Sequence, residues 1–146
     1  MSKYNLQRFI DAQQNMYQVA LSEIKNGKKE SHWIWYIFPQ LVGMGHSYNS
    51  QYYGIEDFDE AVAYLENKEL DSHIREITKQ LLSFENLSAI QIFGGVDAKK
   101  VRSCMTLFDM VSPNEVFEDV LDKYYDGKRC QYTLNHLIKK IKHNEY

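Results

Sequence analysis

HWIWYIFP (residues 32–39) is the stretch on which the fold turns. As a strand it would be apolar on both faces and would need a partner on each side. AIQIF (residues 89–93) is the one candidate partner, and two strands alone are marginal. As a buried helix it needs no strand partner. It would end before Pro39, because the residue preceding a proline avoids the α region. The helical reading makes the chain a mainly α, single-domain, multi-helix globule over residues 1–146. The following QLVGMGHSYNSQYYG (residues 40–54) is then mainly irregular chain, anchored by its aromatics.

Working outward, the flanks carry helical periodicity. Asn5 is a candidate N-cap for a long amphipathic helix through Leu6, Phe9, Ile10, Met16, Tyr17, Ala20, Leu21 and Ile24, ending near Asn26-Gly27. Asp57 and Glu60 resemble a capping box, followed by a stripe of Phe58, Ala61, Val62 and Leu65. Leu70, Ile74, Ile77 and Leu81 form another stripe. SAIQIFGG (88–95) reads as either helix or strand. Asp97 is expected to cap a helix through about Asp109. Ser112-Pro113-Asn114-Glu115 predicts an N-cap, a proline at the first helical position and a Glu at the third. That helix stops at Asp126-Gly127. The last one presents Leu134, Leu137, Ile138 and Ile141.

Composition narrows the class of function. The 146 residues are 44% hydrophobic and 25% charged, ordinary for a globular chain. A net charge of −3 argues against a general nucleic-acid binder, which needs a basic surface. The N-terminus lacks the layout of a signal peptide, and no apolar run has membrane-spanning length. A cytoplasmic location is the expectation. Cys104 and Cys130 lie in no metal-type spacing and read as reduced thiols. His46, His73, His136 and His143 form no metal motif, and no cofactor is expected.

Several blocks together resemble a known family. They are SHWIWYIFPQ, then Gly43, Gly45 and Ser47, then Tyr53-Gly54-Ile55 with Glu60-Ala61 and Tyr64-Leu65, and later IFGGVDAKKVRSCMTLF. The chain is similar over nearly its whole length to domain-of-unknown-function family 1810, small proteins sometimes labelled calpastatin-like. The resemblance implies a mainly helical fold and no established activity. Where the family usually has a second serine in RSSMTLF, this chain has Cys104. The calpastatin label sits poorly with a chain that has a core stripe on every helix, because such inhibitory segments fold on their target.

The chemistry is concentrated in two of these blocks. Residues 31–55 hold both tryptophans, three glycines and two histidines. On a helical wheel of DAKKVRSCMTLF, Val101, Cys104, Met105 and Phe108 face inward, with Leu107 on their shoulder. Lys99, Arg102 and Thr106 point away. Lys100 and Ser103 fall at the edge, where a lysine can lay its stem on apolar surface and set its ammonium at a pocket rim. Gly94 before this helix permits close backbone approach. His32 and His46 are the candidate proton carriers beside Lys100. Trp33, Trp35, Tyr36 and Tyr53 are candidate stacking surfaces, and Gly45 and Ser47 candidate polar contacts. Each has a plain structural alternative: a core ring, a turn former, a surface lysine or a hydrogen-bonded histidine. Cys104, within an apolar stripe, is expected to be inert.

Such a mixture suits an apolar cleft with a few convergent polar groups. The leading reading is a pocket for a nucleotide-like or ADP-ribose-like small molecule, with hydrolysis as the activity the histidines would serve. The D-x-x-K spacing of Asp97 and Lys100 is shared with helical domains that process ADP-ribose linkages, which is analogy alone. The rival is a protein-interaction module with no small-molecule site. The pocket reading requires two segments some fifty positions apart to line one cleft.

Overall fold

The apolar stripes become helices because each finds another to cover it. A computed structural model describes the backbone of residues 4–144 and the side chains of residues 4–137. Among the described residues there are helices and no strand. They are α1 (Gln7–Lys25), α2 (Ile34–Ile37), α3 (Tyr48–Tyr52), α4 (Phe58–Glu66), α5 (Lys68–Leu81), α6 (Ala89–Phe93), α7 (Gly95–Val111), α8 (Val116–Tyr125) and α9 (Gln131–Asn144). The chain is mainly α, as expected. Residues 34–37 are a single helical turn stopped short of Pro39.

The centre is α7, which packs against α8, α6, α4, α9 and α2. It is buried nearly all round. Val101, Cys104, Met105, Leu107 and Phe108 point into one continuous apolar core. Thr106, expected on the outer face, is fully buried too. Its hydroxyl donates to Arg102 O at 2.8 Å and accepts the Cys130 N–H at 2.9 Å, so the start of α9 covers it. Around this axis, α1 lies on α5 and α2, and α5 bridges α4 and α8. A row of aromatic rings crosses the interior. Tyr64 stands edge-on to Phe9 at 5.1 Å and 5.2 Å from Phe108, which lies 5.7 Å from Phe117.

Three helix starts differ from their sequence signals. Asn5 does not cap α1. Leu6 occupies that position without a side-chain cap, and the Asn5 carbonyl accepts from Arg8. Ser112 ends α7 instead of starting α8, whose N-cap is Glu115. Arg75 takes the groups that would have capped, with Nη2 3.3 Å from Ser112 Oγ and Nη1 3.4 Å from Glu115. Between them Asn114 adopts a left-handed φ of 63° and redirects the chain. Asp97 lies inside the first turn of α7, with Gly94 at the cap. The stripe on α4 is also displaced. Ala61, Tyr64 and Glu60 are buried, whereas Phe58, Val62 and Leu65 are half-covered, because the Tyr64 ring fills the gap between α1 and α7.

Residues 40–54 are less irregular than expected. Ser47 caps the short α3 through its side chain, which accepts from Ser50 N. A parallel bridge between Leu41 and Ile55, with Val42 N to Ile55 O at 2.8 Å and Ile55 N to Gln40 O at 2.9 Å, ties the ends of the segment together. Of the last stripe, Leu137 is buried; the side chains of Ile138, Ile141 and His143 lie outside the described residues.

Candidate functional site

The two chemistry-bearing blocks meet. One cavity of about 260 Å³ is lined by Trp35 from α2, by Gln40, Met44 and Gly45 from the tied loop, and by Val96, Lys99, Lys100 and Ser103 from α7. Local sequence explains the convergence. The single turn of α2 buries Ile34 and Ile37, which leaves Trp35 half-exposed and turned toward α7. Gly45 lets the loop lie against α3, since a Cβ there would come within 3.0 Å of Ser50 Cβ. Gly94, with φ of 82°, makes the sharp junction between α6 and α7 that exposes the first turn of α7.

The electrostatics centre on Asp97. Its carboxylate lies 2.9 Å from Lys29 Nζ and 3.1 Å from Lys100 Nζ. Burial raises its pKa, but the hydrogen bonds and charge of Lys29 and Lys100 outweigh that and hold it below the usual carboxylate range. The Lys100 ammonium also sits 4.1 Å from the Trp35 ring centroid, a cation–π contact. Ser103 Oγ lies 3.1 Å from Lys99 O and 3.3 Å from Cys130 Sγ. Burial pushes the Cys104 thiol well up, consistent with an unreactive side chain. Burial also raises Cys130, yet hydrogen bonds from Ser103 and the Thr133 backbone and the charge of Arg102 bring it below its ordinary value.

The remaining candidate residues lie elsewhere. Trp33 is fully buried, with its indole N–H donating to Glu23 Oε1 at 2.9 Å. Tyr36 faces away from the cavity, 5.2 Å from the Tyr53 ring; Tyr53 in turn lies 6.0 Å from Phe9. These two rings seal α2 and the loop onto α1. His32 and His46 are both exposed, and neither lines the cavity. Ser47 is an exposed helix cap, and Gly94 is exposed at its junction outside the lining.

Sequence reasoning missed Gln40, Met44, Val96 and Lys99 as members of the site, and it misjudged Asp97. A wheel places Lys99 away from the core, which is right, but the loop on α7's flank brings the cleft out to it. The position of Asp97 marks it as a helix cap, not as the shared partner of two lysines. Lys29, which neutralises it, comes from the distant turn after α1, and nothing local signals the pairing.

The fold and cleft define a small helical domain with an aromatic, cationic pocket built on its central helix. Residues 3–137 match the family described as a protein of unknown function, DUF1810, and the chain belongs to that family. It is similar to a solved structure, that of the conserved hypothetical protein Rv1873 from Mycobacterium tuberculosis. The two share 36% identity and a TM-score of 0.91 over 94% of this chain and 99% of that one. No curated protein matches the chain.

Proposed function

We propose that this protein binds a nucleotide-like phosphorylated small molecule in the cleft between α2, the 40–45 loop and α7. The observation that carries the reading is the convergence of Trp35, Gly45, Lys100 and Ser103 on one cavity. Its volume of about 260 Å³ lies just under the range of roughly 300–1,000 Å³ common for ligand pockets. It suits one nucleotide-sized part of a ligand, so an ADP-ribose-like molecule would extend from its mouth.

The arrangement suggests how binding would proceed. Lys100 can swing from Asp97 to a ligand phosphate at little cost, because Lys29 still neutralises that carboxylate. Lys99 adds a second ammonium on the same rim, and the Gln40 amide can both donate and accept. Trp35 lines the cavity and offers ring surface for stacking. With His32 and His46 outside the lining, the cleft supports binding better than hydrolysis.

A thermal-shift series with AMP, ADP-ribose and NAD tests this. A ligand present at 100 times its Kd should add about 2.7 kcal/mol of stability. That gain should disappear in Trp35→Ala and Lys100→Ala. Absence of any shift at millimolar ligand, or a shift that both variants retain, would count against the reading.

A further inference from the structure

A second cleft lies on the other flank of α7, walled by α6 and α8. Its volume is about 270 Å³. Ala89, Ile90 and Ala98 supply aliphatic surface, and Tyr124 and Tyr125 supply aromatic surface. Both phenols are already committed, since Tyr124 OH donates to Leu81 O at 2.5 Å and Tyr125 OH to Ala98 O at 2.6 Å. Ser88 adds a hydroxyl at the start of α6, where its Oγ accepts Gln91 N at 3.1 Å; the rest of the walls present rings and methyl groups. The polarity of the cleft is concentrated in Arg102, with Lys99 at the shared crest of α7.

Arg102 differs from the other three arginines of the chain. Arg8 holds Glu60 at 2.9 Å, Arg75 holds Asp71 at 2.7 Å, and Arg129 holds Asp109 at 3.1 Å. Arg102 has no carboxylate partner among the described residues, and its Nε is shielded from solvent with no hydrogen-bond partner there. A guanidinium is a fixed fork matched to carboxylates, and a shielded donor left unpaired is costly. An exposed lysine without a partner would mean little; a partly covered arginine beside an apolar cavity is a different observation.

We propose that this cleft is a binding site for a small apolar carboxylic acid: an aromatic or aliphatic body between Ile90, Tyr124 and Tyr125, and one carboxylate on the Arg102 guanidinium. The apolar walls disfavour a bare inorganic anion or a polyphosphate, which would leave them uncovered. A neutral apolar molecule would leave Arg102 unpaired. This site does not depend on the nucleotide reading of the first cleft. Arg102 takes no part in that cleft, and the two sites are probed by different ligands.

Calorimetry with phenylacetate and octanoate, against phenylacetamide as the neutral isostere, tests the proposal on the whole chain. At least one acid should bind, and the amide should bind about tenfold or more weakly, the scale of one charge-assisted hydrogen bond. Arg102→Gln should weaken the acid by about tenfold or more while leaving the amide unchanged. Arg102→Lys should recover only part of the loss, because an ammonium cannot make two parallel bonds. Ile90→Asp, at an exposed position where folding is not at stake, should repel the acid from the cleft mouth. Equal binding of acid and amide, indifference to Arg102→Gln or Ile90→Asp, or no binding of either acid at about 10 mM, near the millimolar floor of specific affinity, would overturn it.

Discussion

Trp33 and Trp35 flank the first residue of α2, and each lies under a lysine. Lys29 Nζ is 5.0 Å from the Trp33 ring and Lys100 Nζ is 4.1 Å from the Trp35 ring. The two lysines meet at a single carboxylate, Asp97. The resemblance ends there. Trp33 is wholly covered, and Glu23 accepts its N–H. That same carboxylate also accepts the backbone N–H groups of Glu30 and Ser31, each at 2.8 Å, and the Ser31 hydroxyl. Trp35 keeps an open flank on a cavity. A ring whose polar atom is satisfied and whose faces are packed is architecture. A ring with an open flank beside a movable cation is available to a ligand. The difference of two positions in sequence decides which.

Substitution should separate the two regions. The largest effect is expected for Trp33→Ala, about 3–5 kcal/mol in denaturant unfolding, through lost burial and a cavity in the core. A loss below about 1 kcal/mol would mean that Trp33 is not a core anchor. Trp35→Ala should cost clearly less, because its surface is only partly covered.

Glu23→Gln comes next. Burial raises the Glu23 pKa, but hydrogen bonds from Ser31, Glu30 and Trp33 lower it to about 2 from 4.5. A carboxylate depressed in the folded state stabilises it fully above the unfolded pKa. That contribution is lost as pH falls from about 4.5 toward 2. The Gln variant should therefore lose about 1 kcal/mol at neutral pH, because solvent screens a carboxylate that is only partly covered. Its stability should also fall less steeply than the native chain's in that acid window. Parallel acid limbs would show that the Glu23 carboxylate is not the titrating anchor.

Lys100→Ala should cost under about 1 kcal/mol, since its ion pair with Asp97 is partly exposed and Lys29 remains as partner. Its larger effect should be on ligand-induced stabilisation. The smallest effects are expected for His32→Ala and His46→Ala, within about 0.5 kcal/mol, because both side chains are exposed. Loss of ligand response in either would bring that histidine back into the site by a movement of its loop.

The helices were legible where periodicity was long. The stripe of Leu70, Ile74, Ile77 and Leu81 on α5 is buried as written, and α7 buries the residues its wheel assigned. Helix ends were legible where a residue's own backbone set them, as at Asn26-Gly27 and at left-handed Asp126 before Gly127. They were not legible where a distant arginine competed for the capping groups, as Arg75 does at Ser112 and Glu115. The candidate site divides on the same line. Lys100 and Ser103 could be placed at a cleft edge because α7 carries its own phase. Residues of a loop carry no phase, so Met44 and Gln40 could not be distinguished from His46 and Ser47.

The sequence by itself determined that the chain is helical, which faces of its long helices are apolar, and that aromatic and cationic residues gather in two blocks. These follow from local periodicity and backbone preference, which act over a few residues. Only the tertiary structure decided which tryptophan is sealed and which is open, that Lys29 and Lys100 share Asp97, and that Arg102 is left without a carboxylate among the described residues. Those outcomes depend on contacts between segments tens of residues apart, and the strength of such contacts is set by burial, which no short stretch of chain carries within itself.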